Sequence, residues 1–482
     1  MKRNINRQSI LRIQQEIALT VLIVCILSVM SCKKFVEIPP PDSQIVTTTV
    51  FNDVNAATAA VTAIYSAMQQ ESWIMSQCTG LLGDELQSYS TSNFVRPYYL
   101  NRMTSSTSPT PGPWVSGYNY IYQANAVIEG LRGNKNLSEP VQNQLIGEAK
   151  FIRAFWNFYL VNCYGDVPLI LTTDYTTNQL LIRSTASKVY NQIVADLLDA
   201  ENLLNANYVN QTDTAATTDR IRPNKSTALA LLARAYLYSG DYANAESASS
   251  AVISDSRYQV VQDLNKIFLI NSTEAIWQLQ IPSPANQSTI DGLNYILTAA
   301  PTPGSPAQTA TIAPGLWNSF EPNDQRKINW IGSIITSNPT DTFYFPYKYK
   351  SNSLPVTEYT MMFRLAEQYL IHSESLIRQN KNLDQAALDI NVIRNRAGLG
   401  IYSGPLNQDS LLSAVIHERQ TELFTEWGHR WFDLIRIGNI DAVMSVVNPQ
   451  KGGQGWNPEL ALFPIPRNEI KIDFNLTQNP GY

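Results

Sequence analysis

Lys225–Ser254, KSTALALLARAYLYSGDYANAESASSAVIS, is the stretch whose reading decides the fold. Two alanine-rich segments meet at Ser239-Gly240-Asp241. Small side chains let two helices approach closely, and Gly240 can adopt the left-handed backbone that closes the first. The stretch therefore reads as a helix–turn–helix pair. Phe363–Arg396 repeats the pattern, with Leu365, Ala366, Tyr369, Leu370 and Ser373 on one helix and Ala386, Ala387, Ile390 and Ile393 on the next.

Outward from these pairs, helical spacing continues over most of the chain. A helix starts near Asp53, whose carboxylate can cap the first turn, and carries Val54, Ala57, Val61, Ile64, Tyr65 and Met68. Ser116–Leu131, Pro140–Tyr164, Ala186–Leu204 and Ser410–Trp427 show the same period. Strand content is confined to short pieces such as Ala275–Ile281 and Thr342–Tyr349, and Phe463–Tyr482 reads as an irregular tail. Two long stretches, 71–113 and 281–315, have no period and mix Gly, Ser, Thr and Pro with aromatics. Long aperiodic segments in compact proteins often carry function. The expected fold is mainly α, with helical hairpins that resemble tetratricopeptide units of about 34 residues. Additional helices, long irregular loops and minor short strands complete it.

The N-terminus adds a compartment. Lys2, Arg3, Arg7 and Arg12 precede an apolar run, Ala18 to Val29, and the small-residue sequence Val29-Met30-Ser31-Cys32. Basic, apolar, then small residues describe a secretory leader. The apolar run is about a dozen residues, short of the roughly 20 needed for a membrane-spanning helix. Its Ser-Cys ending resembles a lipobox, which implies acylation of Cys32 as the first mature residue. Residues 1–31 are thus expected to be the signal peptide. Residues 32–52, with Pro39-Pro40-Pro41, form the anchor and a stiff tether, and 53–482 the folded domain.

At 482 residues the chain is long enough for one large domain with an appended lobe or two intimately packed ones. The formal charge is −5, and no basic stripe is present, so phosphate-neutralising nucleic-acid binding is excluded. Of the four cysteines, Cys78 and Cys163 remain after Cys25 and Cys32 are assigned to leader and anchor. They could pair in an oxidising compartment, but Cys163 in its helical pattern reads as a small buried hydrophobe.

No catalytic constellation emerges. His372, His417 and His429 lack the partners of a zinc site, and no phosphate-cradling loop or nucleophile elbow occurs. No metal or cofactor is expected. The cluster Glu418, Arg419, Glu422, Glu426, His429, Arg430, Asp433 and Arg436 could hide a carboxylate pair for glycoside hydrolysis. Its alternating charges read instead as ion pairs holding the last helices. The aperiodic stretches hold Trp73, Phe94, Tyr98, Tyr99, Asn294 and Tyr295, with Asn101 and Arg102 adjacent. A sugar offers an apolar face to flat rings and hydroxyls to Asn, Asp or Arg, so these residue types suit carbohydrate. Loop aromatics also commonly just fasten a loop to the core.

These blocks, in order, resemble the SusD/RagB family of surface glycan-binding lipoproteins. They are Gly147–Ile170 (GEAKFIRAFWNFYLVNCYGDVPLI), Val189–Leu204, Pro223–Ile253 and Phe320–Lys327 (FEPNDQRK). Arg364–Glu374 (RLAEQYLIHSE), Asn391–Gly398 (NVIRNRAG), Glu418–Arg436 (ERQTELFTEWGHRWFDLIR), Phe463–Pro466 and Gln478–Tyr482 follow. The resemblance covers essentially all of 32–482. It implies a non-catalytic, lipid-anchored outer-membrane protein facing the cell exterior. Such a protein captures glycan and delivers it to a SusC-like TonB-dependent transporter packed on the tetratricopeptide face, spanning about 186–254 and 363–396. Capture of peptide or another nutrient by the same arrangement is the alternative. Ligand contacts are implied in loops of about 71–114 and 281–316, which nominates Trp73, Tyr98, Tyr99, Asn101, Arg102, Asn294 and Tyr295. Asp84 sits where relatives often carry an acidic residue. Many relatives also have acidic residues after the lipidated cysteine; this chain has Lys33-Lys34.

Overall fold

Asp53 opens the first helix, α1 (Val54–Leu82), by accepting a hydrogen bond from the Ala56 amide at 2.9 Å. The computed structural model describes residues 16, 50–106, 112–212, 215–283, 287–305, 309–336, 342–453 and 455–482. Cys32, the leader and the tether lie outside them. Among the described residues no helix is long and apolar enough to cross a membrane.

After α1 come β1 (Leu86–Ser88), the single turn α2 (Arg96–Tyr99), α3 (Pro113–Leu131) and α4 (Glu139–Tyr164). A second single turn, α5 (Tyr175–Asn178), precedes α6 (Ala186–Leu203) and the short ribbon β2 (Tyr208–Val209) with β3 (Ala216–Thr217). The deciding stretch forms α7 (Lys225–Ser239) and α8 (Tyr242–Ile253). Asn224 and Thr227 form a reciprocal capping box at the start of α7, Gly240 closes it with φ +83°, and Asp241 caps α8.

Next comes the segment between the two hairpins. It holds β4 (Ala275–Leu279), α9 (Ile290–Tyr295), β5 (Ala310–Ile312), α10 (Pro314–Ser319) and α11 (Gln325–Trp330), then β6 (Ile331–Ile335), β7 (Thr342–Pro346) and β8 (Thr360–Arg364). The C-terminal part contains α12 (Leu365–Arg378), α13 (Leu383–Arg396), α14 (Gln408–Glu422), α15 (His429–Arg436), α16 (Ile440–Gln450) and α17 (Arg467–Ile472).

The two hairpins are neighbours in space although about 110 residues separate them in sequence. Helices α3, α4, α6, α7, α8 and α12 pack each on the next, and α12 continues to α13 and α14. Ala233, Leu237, Ala245, Ala248 and Ile371 form the seam between the hairpins. Strand β4 pairs antiparallel with β8, which runs directly into α12. Trp277 of β4 is fully buried at the centre of the main core, with the rings of Tyr65, Phe151, Phe155 and Phe363 around it.

A buried charge network ties hairpins, insertion and C-terminal helices together. Glu422 is wholly enclosed and accepts from Arg326, Arg364 and Arg396. Arg326 also binds Asp324 and Glu418 at 2.8 Å each; Arg364 reaches Glu274 at 3.1 Å and Glu426 at 2.8 Å. Arg234 of α7 forks onto Glu367 of α12 at 2.6 and 2.7 Å, and Arg153 of α4 onto Asp196 of α6. Burial alone would raise the Glu422 carboxyl. The Arg396, Arg364 and Arg326 guanidiniums outweigh it and hold the group well below the usual carboxylate range.

Three expectations need correction. The helix expected over Ser410–Trp427 stops at Glu422, and Thr425, Trp427 and Gly428 all have positive φ. Lys348 Nζ donates to the carbonyls of Glu422 and Phe424 at 2.8 Å each, giving the interrupted backbone its partners. Residues 71–82, read as irregular, continue α1. Ser72, Ser76, Gln77 and Thr79 are buried along with Met75, Leu81 and Leu82, so no polar face marks the helix. The tail contains α17. Cys78 and Cys163 are free and buried, and burial pushes both thiols up.

Glu422→Gln leaves three buried guanidiniums short of charge. It should cost about 3–5 kcal/mol in urea unfolding; a loss under about 1 kcal/mol would show that the network is not holding the parts together.

Candidate functional site

Gly83-Asp84-Glu85 carries the chain from α1 into β1, where the two aperiodic segments meet. β1 pairs antiparallel with β5 through Leu86↔Ile312, Gln87↔Thr311 and Ser88↔Ala310. The pairing is extended by Ala313 N to Glu85 O (2.9 Å), Leu316 N to Asp84 O (3.2 Å) and Thr91 N to Ser305 O (2.9 Å). Segments 71–114 and 281–316 are therefore stitched together backbone to backbone. Gly315 is required at this seam, because a Cβ there would lie 2.9 Å from the Asp84 carbonyl oxygen.

Beside this ribbon stands the β6/β7 hairpin, in register from Ile331↔Pro346 to Ile335↔Thr342. Its side chains supply the rings. Tyr344 stacks on Trp317 of α10, centroids 3.9 Å apart at 28°, and Phe343 meets the Tyr89 ring edge-on at 5.5 Å. Lys327 Nζ sits 3.8 Å from the Trp317 centroid and donates to the Trp317 carbonyl at 2.9 Å. Two groups that close to one centroid cannot share a face, so Trp317 is sandwiched. Tyr344 is thereby backed by a rigid ring. It is half-buried, as are Tyr89 and Phe343, and Ser333, paired with Tyr344 across the hairpin, is exposed. The result is a supported Tyr344 ring with the Ser333 hydroxyl on the same face of the hairpin, suited to stacking on the C–H face of a sugar while hydrogen-bonding its edge; Phe343, next in the strand, points with Tyr89 to the opposite face.

The nominated residues divide sharply. Asp84 is buried: Arg430 donates to it at 2.9 and 2.7 Å and Gln420 at 3.4 Å, so it fastens the start of β1 to α14 and α15. Tyr98 is only 2% exposed and meets Phe463 edge-on. Asn101, at φ +50°, donates from Nδ2 to the Leu82 carbonyl at 3.2 Å. Tyr295 is also enclosed. These four hold the loops to the core and do not present themselves to solvent. Trp73 is half-buried and stacks on Phe94 at 6.0 Å; Asn294 donates to the Ile290 carbonyl. Tyr99 is half-buried and Arg102 exposed. The sequence reading passed over Tyr89, Trp317, Phe343 and Tyr344. The crowded apolar and aromatic residues of Thr342–Tyr349 mark a strand, but nothing local ties it to the loops.

The carboxylate cluster offers no acid–base pair. Glu418 accepts from Arg326 and Arg394, Glu426 from Arg364 and Lys348, and Asp433 from Arg419 and Arg436. His429 is driven well below its usual range by burial and then by Arg234 and Arg419, so it stays neutral. Glu321, His417 and Glu418 converge within 4.8 Å, but arginines occupy both carboxylates and His417 bonds the Ser319 carbonyl.

Beneath the loops, burial holds Asp291 of α9 up at about 7; its Oδ2 accepts from Ser72 and Thr360 at 3.4 Å each. A carboxyl with a raised folded-state value binds its proton more tightly folded than unfolded. Its contribution is complete at low pH and is lost as pH climbs from about 4 through 7. Amide exchange over 289–296, corrected for intrinsic rates, should therefore accelerate between pH 5 and 8, and Asp291→Asn should flatten that dependence. An identical slope in the variant would rule Asp291 out as the cause.

Comparison with known proteins gives one answer along the chain. Residues 34–237 match a SusD-like family described as starch-binding and associating with the outer membrane, and residues 335–482 match the SusD/RagB family. A SusD-like protein of Formosa agariphila is 26% identical over an alignment of 518 residues, spanning 95% of this chain and 98% of its own. Among solved structures, a SusD superfamily protein of Bacteroides vulgatus has TM-score 0.75 at 22% identity, covering 89% of this chain and 99% of that one. A laminarin-binding SusD-like protein has TM-score 0.70 at 21% identity, over 88% and 99%. At these identities the structural likeness speaks for the fold.

Proposed function

The chain belongs to the SusD/RagB family, and on that premise we propose that it binds oligosaccharide or polysaccharide on its aromatic face, without cutting it, and delivers it to a SusC-like TonB-dependent transporter. The observation that carries this reading is Tyr344 lying flat on a sandwiched Trp317, with the exposed Ser333 paired to it across the hairpin. A platform that does not rearrange loses little entropy on binding a sugar ring. The matched family description, starch-binding and associating with the outer membrane, supports both ligand class and location. Because a structural neighbour is described as laminarin-binding, laminarin is a probe to set beside starch.

Anchoring follows from Cys32. Acylation there would tether the domain through the proline-rich segment, with the ligand face turned outward and the helical hairpins toward the transporter. Non-catalytic capture agrees with the charge cluster, where every carboxylate of Glu418, Glu422, Glu426 and Asp433 is committed to arginine or lysine.

Calorimetry with soluble starch and laminarin should detect binding of at least one. Tyr344→Ala should weaken it by about tenfold, ~1.4 kcal/mol, whereas Tyr89→Ala, on the opposite face of the hairpin, should leave it unchanged. Both side chains are half-buried, so thermal midpoints should barely move. Unchanged affinity in Tyr344→Ala would remove the aromatic face as the site, and shortened glycan after prolonged incubation would refute non-catalytic capture. Separately, Cys32→Ala should move the protein from the membrane pellet to the soluble fraction; retention in the pellet would contradict lipid anchoring.

A further inference from the structure

A cavity of about 400 Å³ opens beside the N-terminal half of α1, well away from the aromatic face. Thr62 lies 20 residues before the end of α1, and at 1.5 Å per residue that is about 30 Å of helix. One short ligand cannot occupy both places.

One wall of the cavity is a single stripe of α1: Asn55, Thr58, Ala59, Thr62 and Ser66, three or four residues apart. Each hydroxyl of the stripe donates to a carbonyl one turn back. Thr58 bonds Val54 O at 2.7 Å, Thr62 bonds Thr58 O at 3.0 Å, and Ser66 bonds Thr62 O at 3.2 Å. With their protons engaged, Thr62 and Ser66 can meet a ligand only as acceptors, which suits a molecule rich in O–H donors. Gln211, Thr212, Ile221 and Gln280 also line the cavity, and the two glutamine amides can both donate and accept.

Tyr65 and Arg222 complete the lining, and both are buried. The Arg222 charge is already neutralised. It donates from Nε to Glu148 Oε2 at 3.3 Å, from Nη2 to Glu148 Oε1 and from Nη1 to the Asn210 carbonyl at 2.7 Å. Tyr65 donates its hydroxyl to the same Glu148 at 2.8 Å. Among the described lining residues the cavity thus combines neutral hydroxyl and amide groups with an aromatic residue and no uncompensated charge. An ionic ligand would lose its hydration without gaining a counter-charge. A neutral polyol would exchange water hydrogen bonds for protein ones, and the volume lies in the range of small-ligand sites.

We infer that this cavity is a second binding site, specific for a neutral polyhydroxylated molecule of mono- to disaccharide size. The inference goes beyond glycan capture on the aromatic face and stands on the cavity's lining alone.

The test uses the full chain and the probes glucose, maltose, cellobiose and xylobiose, titrated calorimetrically into the millimolar range. At least one should bind. Ala59→Trp, at an exposed position on the rim, should weaken that binding by about tenfold or more by filling the mouth. Thr62→Val, nearly isosteric, should weaken it by about fivefold, and Tyr344→Ala should leave it unchanged. Absence of binding by all four sugars, or binding that neither Ala59→Trp nor Thr62→Val alters, would overturn the inference. Binding abolished by Tyr344→Ala alone would also overturn it, while leaving the aromatic face intact as a site. If polysaccharide binding resists Tyr344→Ala while the disaccharide effect of Ala59→Trp persists, the aromatic face fails and the cavity stands.

Discussion

A single enclosed carboxylate, Glu422, receives guanidiniums from three separate elements of the chain: Arg326 beyond the ligand loops, Arg364 at the end of β8, and Arg396 at the end of α13. Charges this deep cannot be left singly, because an unpaired buried ion costs several kcal/mol. Each arm can therefore be seated only when the others are. The insertion, the second hairpin and the C-terminal helices must close around Glu422 together. The fold's rigidity at the ligand face derives from that requirement.

From this centre the site is built outward by short links. Lys348 bonds the carbonyls of Glu422 and Phe424 and pairs with Glu426, and it lies two residues past the end of β7. Lys327, one residue after Arg326, packs on Trp317, which supports Tyr344. Arg430, one turn before Asp433, holds Asp84 and with it the start of β1. The aromatic face is thus the outer surface of a charge-locked core, not a set of free loops. Variable side chains could be exchanged on such a platform without disturbing what fixes it.

Much of the architecture is legible in the sequence because helical period and small-residue contacts are local signals. The Lys225–Ser254 pair and α12/α13 follow directly from alanine spacing, Gly240 and Asp241. The blocks that carry the family resemblance, Phe320–Lys327, Arg364–Glu374, Asn391–Gly398 and Glu418–Arg436, prove to be the strands and helices that meet at Glu422. The second half of α1 is not legible, since a helix buried on all sides has no amphipathic period. The binding face is harder still. Tyr98, Asn101 and Tyr295 have the composition of a sugar site but face inward, and composition does not encode direction. Tyr89 meets Phe343, and Trp317 meets Tyr344, only because β1 pairs with β5, residues more than 200 apart, and the β6/β7 hairpin stands beside that ribbon.

The account's central claim is where a glycan rests. Hydrogen–deuterium exchange of the full chain, with and without a saturating glycan that binds, reads that position without altering a residue. Protection gathered on 86–92, 302–305, 331–335 and 342–347 is the expected footprint. Protection confined to the helical hairpins, with these four segments unchanged, would contradict it.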